Sequence, residues 1–232
     1  MSRGQHQSDN GFSTTITDTA GFVALDNTNK AIVVSFRGSY SVRNWITDVT
    51  FPYTIPGLCL GCFAELGFWT AWVVVRDEIL ATLATATKQH PDYELFVVGH
   101  SLGAAIATLS AADLRSRSYN ATLYAYASPR VANKHLADYI TAQGHNYRFS
   151  HAKDPVPTLP PLLLGYVHIS PEYYISSPTN VTVTPKDIEV LDGAVNFNGN
   201  TGEADLSHFD DHDWYFEQAN ACIGPGTPFK IR

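Results

Sequence analysis

The chain lacks any apolar run that approaches the length of a membrane-spanning helix, and it has no cluster of Lys and Arg. Its net charge of −7 argues against nucleic acid or an anionic membrane as a partner. Charged residues make up only 16% of the sequence, whereas hydrophobic residues make up 44%, which excludes a disordered chain. We find no internal repeat and no low-complexity linker, and therefore expect residues 1–232 to form a single domain.

A signal-peptide core is also missing, because the first ten residues are polar. Taken literally, this beginning predicts a protein that stays in the cytosol. Two Asn-x-Thr sequons, at Asn120 and Asn180, are candidate N-glycosylation sites and point weakly toward export.

Cysteine is scarce, with only Cys59, Cys62 and Cys222. The Cys59-x-x-Cys62 spacing is compatible with a redox pair, half a zinc site or a small disulfide loop. No second Cys pair or nearby His cluster completes a zinc site, and a redox pair normally opens a helix, whereas this one lies among Pro and Gly. We favour a small structural disulfide of an exported protein, which leaves Cys222 without a partner.

The most informative stretch is Phe96 to Ala105. A Val-rich run of strand length leads into Gly99-His100-Ser101-Leu102-Gly103, and a run of Ala, Ile and Leu that is typical of a helix follows. Gly-x-Ser-x-Gly arises by chance in many chains, but a strand before it and a helix after it indicate a nucleophile elbow. We predict that Ser101 is a nucleophile, presented where a strand ends and a helix begins.

The surrounding pattern predicts the fold class. Residues 21–37 read as a β-hairpin, and Leu66 to Gln89 carries apolar residues at helical spacing. Beyond the elbow come a strand at 123–128, a helix at 131–142 and a strand at 146–150. Strands that alternate with helices imply right-handed crossovers, so we expect an α/β protein with a largely parallel central sheet flanked by helices.

A serine nucleophile needs a base, which in turn is oriented by an acid, and on this scaffold the chain order is Ser, acid, His. Asp154 follows a predicted strand, although a turn-capping role is common for an Asp before Pro. The base is a later histidine. His168 lies in an apolar strand and reads as a core residue, whereas His208 and His212 remain equally plausible. Their His-x-x-x-His spacing is also a weak metal signal.

An oxyanion hole requires two donors aimed at the substrate oxygen. The amide of Leu102 follows the nucleophile directly and is the first candidate. The second is Ser39, in the Arg37-Gly38-Ser39 loop after the neighbouring strand, where its hydroxyl adds a further donor. The alternative is an ordinary turn at the end of a strand.

Several motifs occur together and in order, and they carry a resemblance to a known family. They are Phe36-Arg37-Gly38-Ser39, Gly99-His100-Ser101-Leu102-Gly103, Ser128-Pro129-Arg130-Val131, Asp154-Pro155-Val156-Pro157, Gly165-Tyr166-Val167-His168 and Ser170-Pro171-Glu172-Tyr173. From about Thr15 onward the sequence resembles the filamentous-fungal class 3 lipases of the Rhizomucor/Thermomyces type. It is most similar to their mono- and diacylglycerol lipase branch.

The resemblance implies an α/β-hydrolase-type fold, secretion, and action on acylglycerols at a lipid–water interface without metal or organic cofactor. We also expect the protein to be a monomer. The implied site residues are a triad of Ser101, Asp154 and His212, oxyanion donors Ser39 and Leu102, and a Cys59–Cys62 disulfide. His212 is favoured because the family's catalytic His precedes a Tyr-Phe pair, as here at Tyr215-Phe216.

A lid is also implied, over residues 41–47. In a short helix Val42, Trp45 and Ile46 would fall on one side and Arg43 and Asn44 on another, so that with Ser41 the segment could cover an apolar acyl trench. The plainer alternative is a surface turn with one packed Trp.

One departure is the start of the chain, which lies almost at the first strand, so that the family's N-terminal helical segment is expected to be missing. We expect hydrolysis of mono- and diacylglycerols. The alternatives are a triacylglycerol lipase or a feruloyl-type esterase on the same fold, and a lipid-binding protein without catalysis.

Overall fold

A central sheet of eight strands organises the protein. The structure is a computed structural model, and it describes residues 10–14, 17, 19–38 and 50–219. The strands of this sheet are β1 (Asn10–Ser13), β2 (Ala20–Asp26), β3 (Ala31–Phe36), β6 (Glu94–His100), β7 (Ala121–Tyr126), β9 (Asn146–His151), β11 (Glu172–Ile175) and β12 (Ile188–Leu191), and they lie side by side in that order. Pairs from β3 through β11 are parallel, and the outer pairs are antiparallel. The predicted α/β fold is thereby confirmed.

Helices cover the sheet, and the first two follow from the sequence pattern. Helix α1 (Leu66–Gln89) has the predicted bounds: Glu65 accepts a 2.7 Å hydrogen bond from the Phe68 amide at its start, and Pro91 follows its end. Helix α2 (Leu102–Ser116) is rich in buried Ala, and these small side chains let it pack closely on the sheet. Together α1, α2 and the sheet enclose the main hydrophobic core.

The third helix differs from the prediction. Helix α3 (Lys134–Ala142) begins three residues later than expected, because Ala132–Asn133 form a strand, β8, and the Asn133 side chain accepts a hydrogen bond from the Leu136 amide. This strand belongs to a small four-stranded sheet with β4 (Tyr53–Thr54), β5 (Ala64–Glu65) and β10 (Tyr166–Val167). The pairing partners of β8 lie far away in sequence, so local periodicity does not reveal them.

Short elements complete the fold. They are 3-10 helices at Val156–Thr158, Leu162–Leu164, Pro185–Asp187 and Phe209–Asp213, helix α4 (Asn200–Glu203), and a hairpin of β13 (Trp214–Tyr215) and β14 (Glu217–Gln218). In the part of the chain that the structure describes, no helix is both long and apolar enough to cross a membrane.

Candidate active site

Ser101 lies at a sharp turn between β6 and α2, with φ of 58° and ψ of −127°, and its side chain is buried. The turn requires glycine on both sides. A Cβ added to Gly99 would lie 2.2 Å from the Gly103 oxygen, and one added to Gly103 would lie 2.3 Å from the Phe36 oxygen. The elbow geometry that the motif predicts is therefore present, and the strained backbone of Ser101 is held by its neighbours.

Asp154 follows β9, as the sequence predicts, and its side chain is fully buried. The carboxylate accepts a 2.9 Å hydrogen bond from the Val156 amide, which fixes its direction. The Asn200 side chain donates a hydrogen bond of 2.9 Å to the Asp154 carbonyl, which connects the loop that carries Asp154 (the acid loop) to α4. Asp154 is consequently held by both its side chain and its backbone.

His212 is the histidine that reaches this carboxylate. Its Nδ1 lies 3.0 Å from each carboxylate oxygen of Asp154, and its ring is buried on the 3-10 helix Phe209–Asp213. His208 is half-exposed and lies 3.3 Å from Asp205 instead. The two histidines that the sequence left open therefore have different partners, and only the His212–Asp154 pair is buried.

One polar atom of this pair and one of the elbow belong to the small set of described side-chain atoms that are buried without a hydrogen-bond partner. Among the residues that the structure describes, Ser101 Oγ and His212 Nε2 have no hydrogen bond. Buried polar groups are nearly always hydrogen-bonded, so each such exception calls for an explanation. With Nδ1–H of His212 donating to Asp154, the unshared electron pair is on Nε2, where it could accept a proton.

Tyr215 is a third partner of the acid, three residues beyond His212. Its hydroxyl donates a 2.7 Å hydrogen bond to Asp154 Oδ2, and its ring is buried. Burial and then the charge of Asp154 raise the pKa of Tyr215 well above its usual value. The phenol therefore remains a proton donor throughout the ordinary pH range.

A buried ion pair joins β9, the strand that leads to the acid loop, to the neighbouring strand β11. Arg148 lies 3.4 Å from Glu172, and burial lowers the pKa of Arg148. Glu172 also accepts hydrogen bonds from the Ser150 hydroxyl and, at 3.3 Å, from the Asn200 amide. The pair thus connects β9 and β11 to the same Asn200 that holds the Asp154 backbone.

Comparison with known proteins gives this geometry a family. The family model described as "Lipase (class 3)" matches residues 33–164. The chain belongs to the class 3 lipase family. A "Secreted mono- and diacylglycerol lipase A" of Penicillium camembertii is 62% identical over 93% of this chain and 72% of its own length. A "Lipase" of Rhizomucor miehei is 40% identical over 78% of this chain and 52% of its own length.

Solved structures agree with the predicted α/β-hydrolase fold. The crystal structure of a mono- and diacylglycerol lipase from Aspergillus oryzae superposes with a TM-score of 0.89 at 67% identity, covering 91% of this chain and 81% of that one. A triacylglyceride lipase of Rhizomucor miehei superposes with a TM-score of 0.79 at 34% identity, covering 90% of this chain and 79% of that one. The predicted membership of the fungal class 3 lipases is confirmed.

Some predicted site residues of this class 3 family member lie outside the described residues: Ser39, the lid residues Ser41, Val42, Arg43, Asn44, Trp45 and Ile46, and Cys222. Leu102, the first candidate oxyanion donor, is the first residue of α2. Gly38 lies beside the elbow, since a Cβ added to it would be 3.5 Å from the Ser101 Cβ. The backbone just before Ser39 therefore passes close to the predicted nucleophile.

The cysteine pair and the sequons have defined places. A disulfide joins Cys59 and Cys62 in the loop between β4 and β5, as predicted. Asn120 and Asn180 are both exposed, and their glycosylation stays a prediction. Within residues 10–14, 17, 19–38 and 50–219, no group of three or more His, Cys, Asp or Glu side chains could hold a metal ion.

Sequence reasoning assigned no role to Tyr215, Asp211, His100 or His151. The available signals were their positions: Tyr215 three residues after the predicted base, Asp211 directly before it, His100 inside the elbow and His151 three residues before the predicted acid. Spacing of this kind does not identify a hydrogen-bond partner on another element, and here all four have such partners.

Proposed function

We propose that this chain is a serine carboxylic-ester hydrolase that acts on mono- and diacylglycerols. The observation that carries the proposal is the buried His212–Asp154 pair, with contacts of 3.0 Å, whose Nε2 and the Ser101 hydroxyl both remain without partners. This is the pattern of an acid that orients a base whose second nitrogen is available to a nucleophile. The substrate class is proposed from the mono- and diacylglycerol lipases that are about two-thirds identical to this chain.

In the proposed reaction, Ser101 Oγ attacks the ester carbonyl while His212 Nε2 takes the hydroxyl proton. The bond from the carbonyl carbon to the glycerol oxygen then breaks, and His212 returns the proton to that oxygen. Water, deprotonated by His212, attacks the acyl-enzyme and releases the fatty acid, and Ser101 recovers its proton. The Asp154 carboxylate orients His212 and stabilises the His212 cation that forms in each half of the cycle.

The developing negative charge on the carbonyl oxygen needs donors, and the Leu102 amide is proposed as the first. At the first position of a helix this N–H has no carbonyl partner within the helix. We assign the second donor to the Ser39 amide, supported by the close passage of Gly38 beside the elbow. Each such donor typically contributes about 10²-fold or more to the rate.

An uncharged surface on the nucleophile's side supports action at a lipid–water interface. We define an apolar rim by six side chains: Tyr53, Ile55, Leu60, Phe63, Leu163 and Leu164, all at least one-third exposed. Its two segments, residues 51–64 and 155–167, contain no Asp, Glu, Lys or Arg. The Tyr53 ring lies 5.9 Å from that of Phe63, and its hydroxyl donates to the Leu164 carbonyl at 3.2 Å, so the two segments meet.

The topology of the sheet supports a location of this rim at the same edge as the proposed nucleophile. Residues 155–167 follow Asp154, at the carboxyl end of β9, and residues 51–64 lead into the start of α1. Because α1 precedes the parallel strand β6, its N-terminus lies at the same edge as the carboxyl end of β6, where Ser101 stands. Large exposed apolar patches mark surfaces that bind a partner, and an uncharged lipid surface matches this one.

We also propose that the protein is extracellular and acts as a monomer. The extracellular location is supported by the Cys59–Cys62 disulfide, since disulfides persist in oxidising compartments, and by the similarity to lipases that are named as secreted.

The decisive experiment compares the protein with its Ser101→Ala variant on mono-, di- and triolein emulsions and on a soluble feruloyl ester. We expect turnover of mono- and diolein, little of the feruloyl ester, loss of turnover and of phosphonate labelling in the variant, and an unchanged far-UV circular dichroism spectrum. Turnover that survives in Ser101→Ala would refute the mechanism. Lipid binding without any turnover by the parent chain would favour a non-catalytic protein, and inhibition by a chelator would favour metal chemistry.

A further inference from the structure

The proposed base, His212, lies on the 3-10 helix Phe209–Asp213, which we call the base segment. Its last carbonyls have no hydrogen-bond partner within the helix. The last carbonyls of any helix lack N–H partners within the helix and must find them elsewhere. In the 3-10 helix Phe209–Asp213, the Asp213 carbonyl accepts a hydrogen bond of 2.8 Å from the Ala219 amide. The carbonyls of Asp211 and His212 instead face two histidine rings, which come from two different strands.

His100 holds the carbonyl of His212. It is the last residue of β6 and directly precedes Ser101, and its Nε2 lies 2.8 Å from the His212 oxygen. Because a carbonyl oxygen only accepts, this nitrogen must carry the proton. The two rings also pack against each other, with centroids 4.7 Å apart. Burial and then the charge of His212 lower the pKa of His100 to about 4, so at neutral pH the ring donates as an uncharged imidazole.

His151 holds the carbonyl of Asp211. It is the last residue of β9 and is fully buried, with Nδ1 3.0 Å from the Asp211 oxygen and Nε2 2.7 Å from the Ser177 oxygen. Because both oxygens only accept, the ring donates to both carbonyls only when each of its nitrogens carries a proton. The Asp211 side chain reinforces this contact, since it accepts hydrogen bonds from the Lys153 amide, at 3.0 Å, and from the Thr179 hydroxyl. The base segment is therefore tied to the strand that leads to Asp154.

We propose that His100 and His151 are positioning residues that fix the backbone of the base segment, so that the His212 ring is aimed at both Asp154 and Ser101. One imidazole extends from the end of the nucleophile's strand and the other from the end of the acid's strand, and they hold consecutive carbonyls. The proposal rests on the proposed triad. Displacement of a catalytic group by about 1 Å commonly lowers a rate by about 10²-fold, so two backbone anchors can govern turnover without touching the substrate.

Asparagine and glutamine separate the two contacts of His151, because an Asn amide nitrogen can take the place of Nδ1 and a Gln amide nitrogen that of Nε2. His151→Asn keeps the donor to Asp211, and His151→Gln keeps the donor to Ser177. We expect kcat on a soluble ester to fall about tenfold or more in His151→Gln and only a few-fold in His151→Asn, with KM nearly unchanged in both. The rate of phosphonate labelling of Ser101 should follow the same order.

If His151 had only a structural role, the order of kcat in the two variants would be reversed, with His151→Asn less active than His151→Gln. Asn removes more of the buried side chain than Gln does, so the cavity left by His151→Asn is larger and its loss of stability should be greater. At His100 the donor is Nε2, and there we expect His100→Gln to keep most of the kcat and His100→Asn to lose about tenfold. The preference for Gln at one site and Asn at the other is the signature of the two carbonyl contacts.

Activities are expressed per folded molecule, measured by circular dichroism and denaturant unfolding of the full chain. If His151→Asn is less active than His151→Gln, or if kcat simply follows stability at both sites, the positioning proposal is wrong. Should neither His151 variant fold, the His100 pair decides by whether kcat changes while KM does not. A parent protein that neither hydrolyses the ester nor becomes labelled at Ser101 would refute the proposed function itself, whatever the variants do.

Discussion

The hydroxyl of Tyr215 and the carboxylate of Asp154 are joined by a buried hydrogen bond of 2.7 Å, with the phenol as donor. The same carboxylate lies 3.0 Å from His212 Nδ1, so Asp154 has donors on two sides. The Tyr215 ring also lies edge-on to the rings of His100 and His151, with centroids 5.6 and 5.8 Å away. Tyr215 thus contacts the proposed acid and both imidazoles that hold the base segment.

Removal of this hydroxyl tests how far the acid depends on it. In Tyr215→Phe the ring remains but Asp154 loses a charge-assisted hydrogen bond, worth about 1.5–3 kcal/mol of unfolding free energy. We expect kcat on a soluble ester to fall about three- to tenfold. Tyr147→Phe, which removes a hydroxyl from a half-buried ring stacked on Tyr124, serves as the control and should leave kcat unchanged. Equal kcat values in Tyr215→Phe and the parent would contradict the expectation.

The low pKa of His100 predicts a loss of stability in acid. Its pKa is about 4 in the folded protein and near 6.5 in the unfolded chain, so the unfolded state binds the proton more readily. Above pH 6.5 the ring is neutral in both states and contributes nothing to the pH dependence. Between pH 6.5 and 4 protonation favours unfolding, and the free energy of unfolding should fall by up to about 3 kcal/mol.

Substitution isolates this contribution from the carboxylates that titrate nearby. His100→Gln keeps the donor to the His212 carbonyl but does not titrate, and the groups that face it, His212 and Asp154, remain in place. Urea unfolding of both proteins from pH 4 to 7.5 should therefore give a shallower pH dependence for His100→Gln. Parallel curves would show that His100 is not the group responsible.

The close packing around the elbow glycines predicts that a methyl group at Gly103 does not fit. In Gly103→Ala the new methyl group would lie 2.3 Å from the Phe36 carbonyl oxygen, which forces α2 away from β3. Ala is otherwise the better helix former by about 1 kcal/mol, so propensity alone predicts stabilisation. We expect instead a loss of about 2–3 kcal/mol in urea unfolding, together with reduced kcat, because Ser101 sits on the same turn.

Gly144 provides the matched control for that substitution. Its φ is +74° and nothing lies within 4 Å of an added Cβ, so Gly144→Ala introduces backbone strain without a clash. We expect it to lose about 1 kcal/mol and to keep its kcat. If Gly103→Ala is no worse than Gly144→Ala, the close approach of α2 and β3 is not what the glycine is needed for.

Local signals predicted the parts of the fold that depend on nearby residues. The bounds of α1 were predicted from an apolar stripe at helical spacing that ends before Pro91, and the elbow from its glycines. The start of α3 was misplaced because β8 pairs with β5 and β10, which are far away in sequence. Pairing of this kind leaves no periodic trace in a two-residue strand.

The site residues also differ in whether nearby or distant parts of the sequence determine their contacts. The elbow is contained in five residues and was predicted directly, whereas the choice between His208 and His212 depends on a contact with Asp154, which lies 58 residues before His212. The resemblance to the family favoured His212, and spacing alone did not. The carbonyl contacts of His100 and His151 span 112 and 60 residues, and they become visible only when the strand ends and the base segment are brought together.

The apolar rim gives the last prediction, which separates contact with lipid from chemistry. Leu60 and Leu163 are 99% and 96% exposed, so replacing both by Ser removes apolar surface without opening a cavity. A leucine buried in an apolar phase typically contributes about 1.5–3 kcal/mol, or tenfold or more in binding. We expect the double variant to lose at least about tenfold in turnover of emulsified diolein and in binding to diolein-containing phosphatidylcholine vesicles.

Turnover of a soluble short-chain ester should be unchanged in this variant, since neither leucine belongs to the proposed triad. Val190→Ser, at a 58% exposed position on the edge strand β12, removes an apolar side chain elsewhere and should affect neither substrate. Because the rim segments contain no charged side chain and the protein carries a net charge of −7, binding should neither require anionic lipid nor weaken with added salt. Binding that falls steeply with salt would point to electrostatic attraction, and a change in the size of the lipid-free protein would point to self-association. Either result would contradict the assignment of the rim to an uncharged lipid surface.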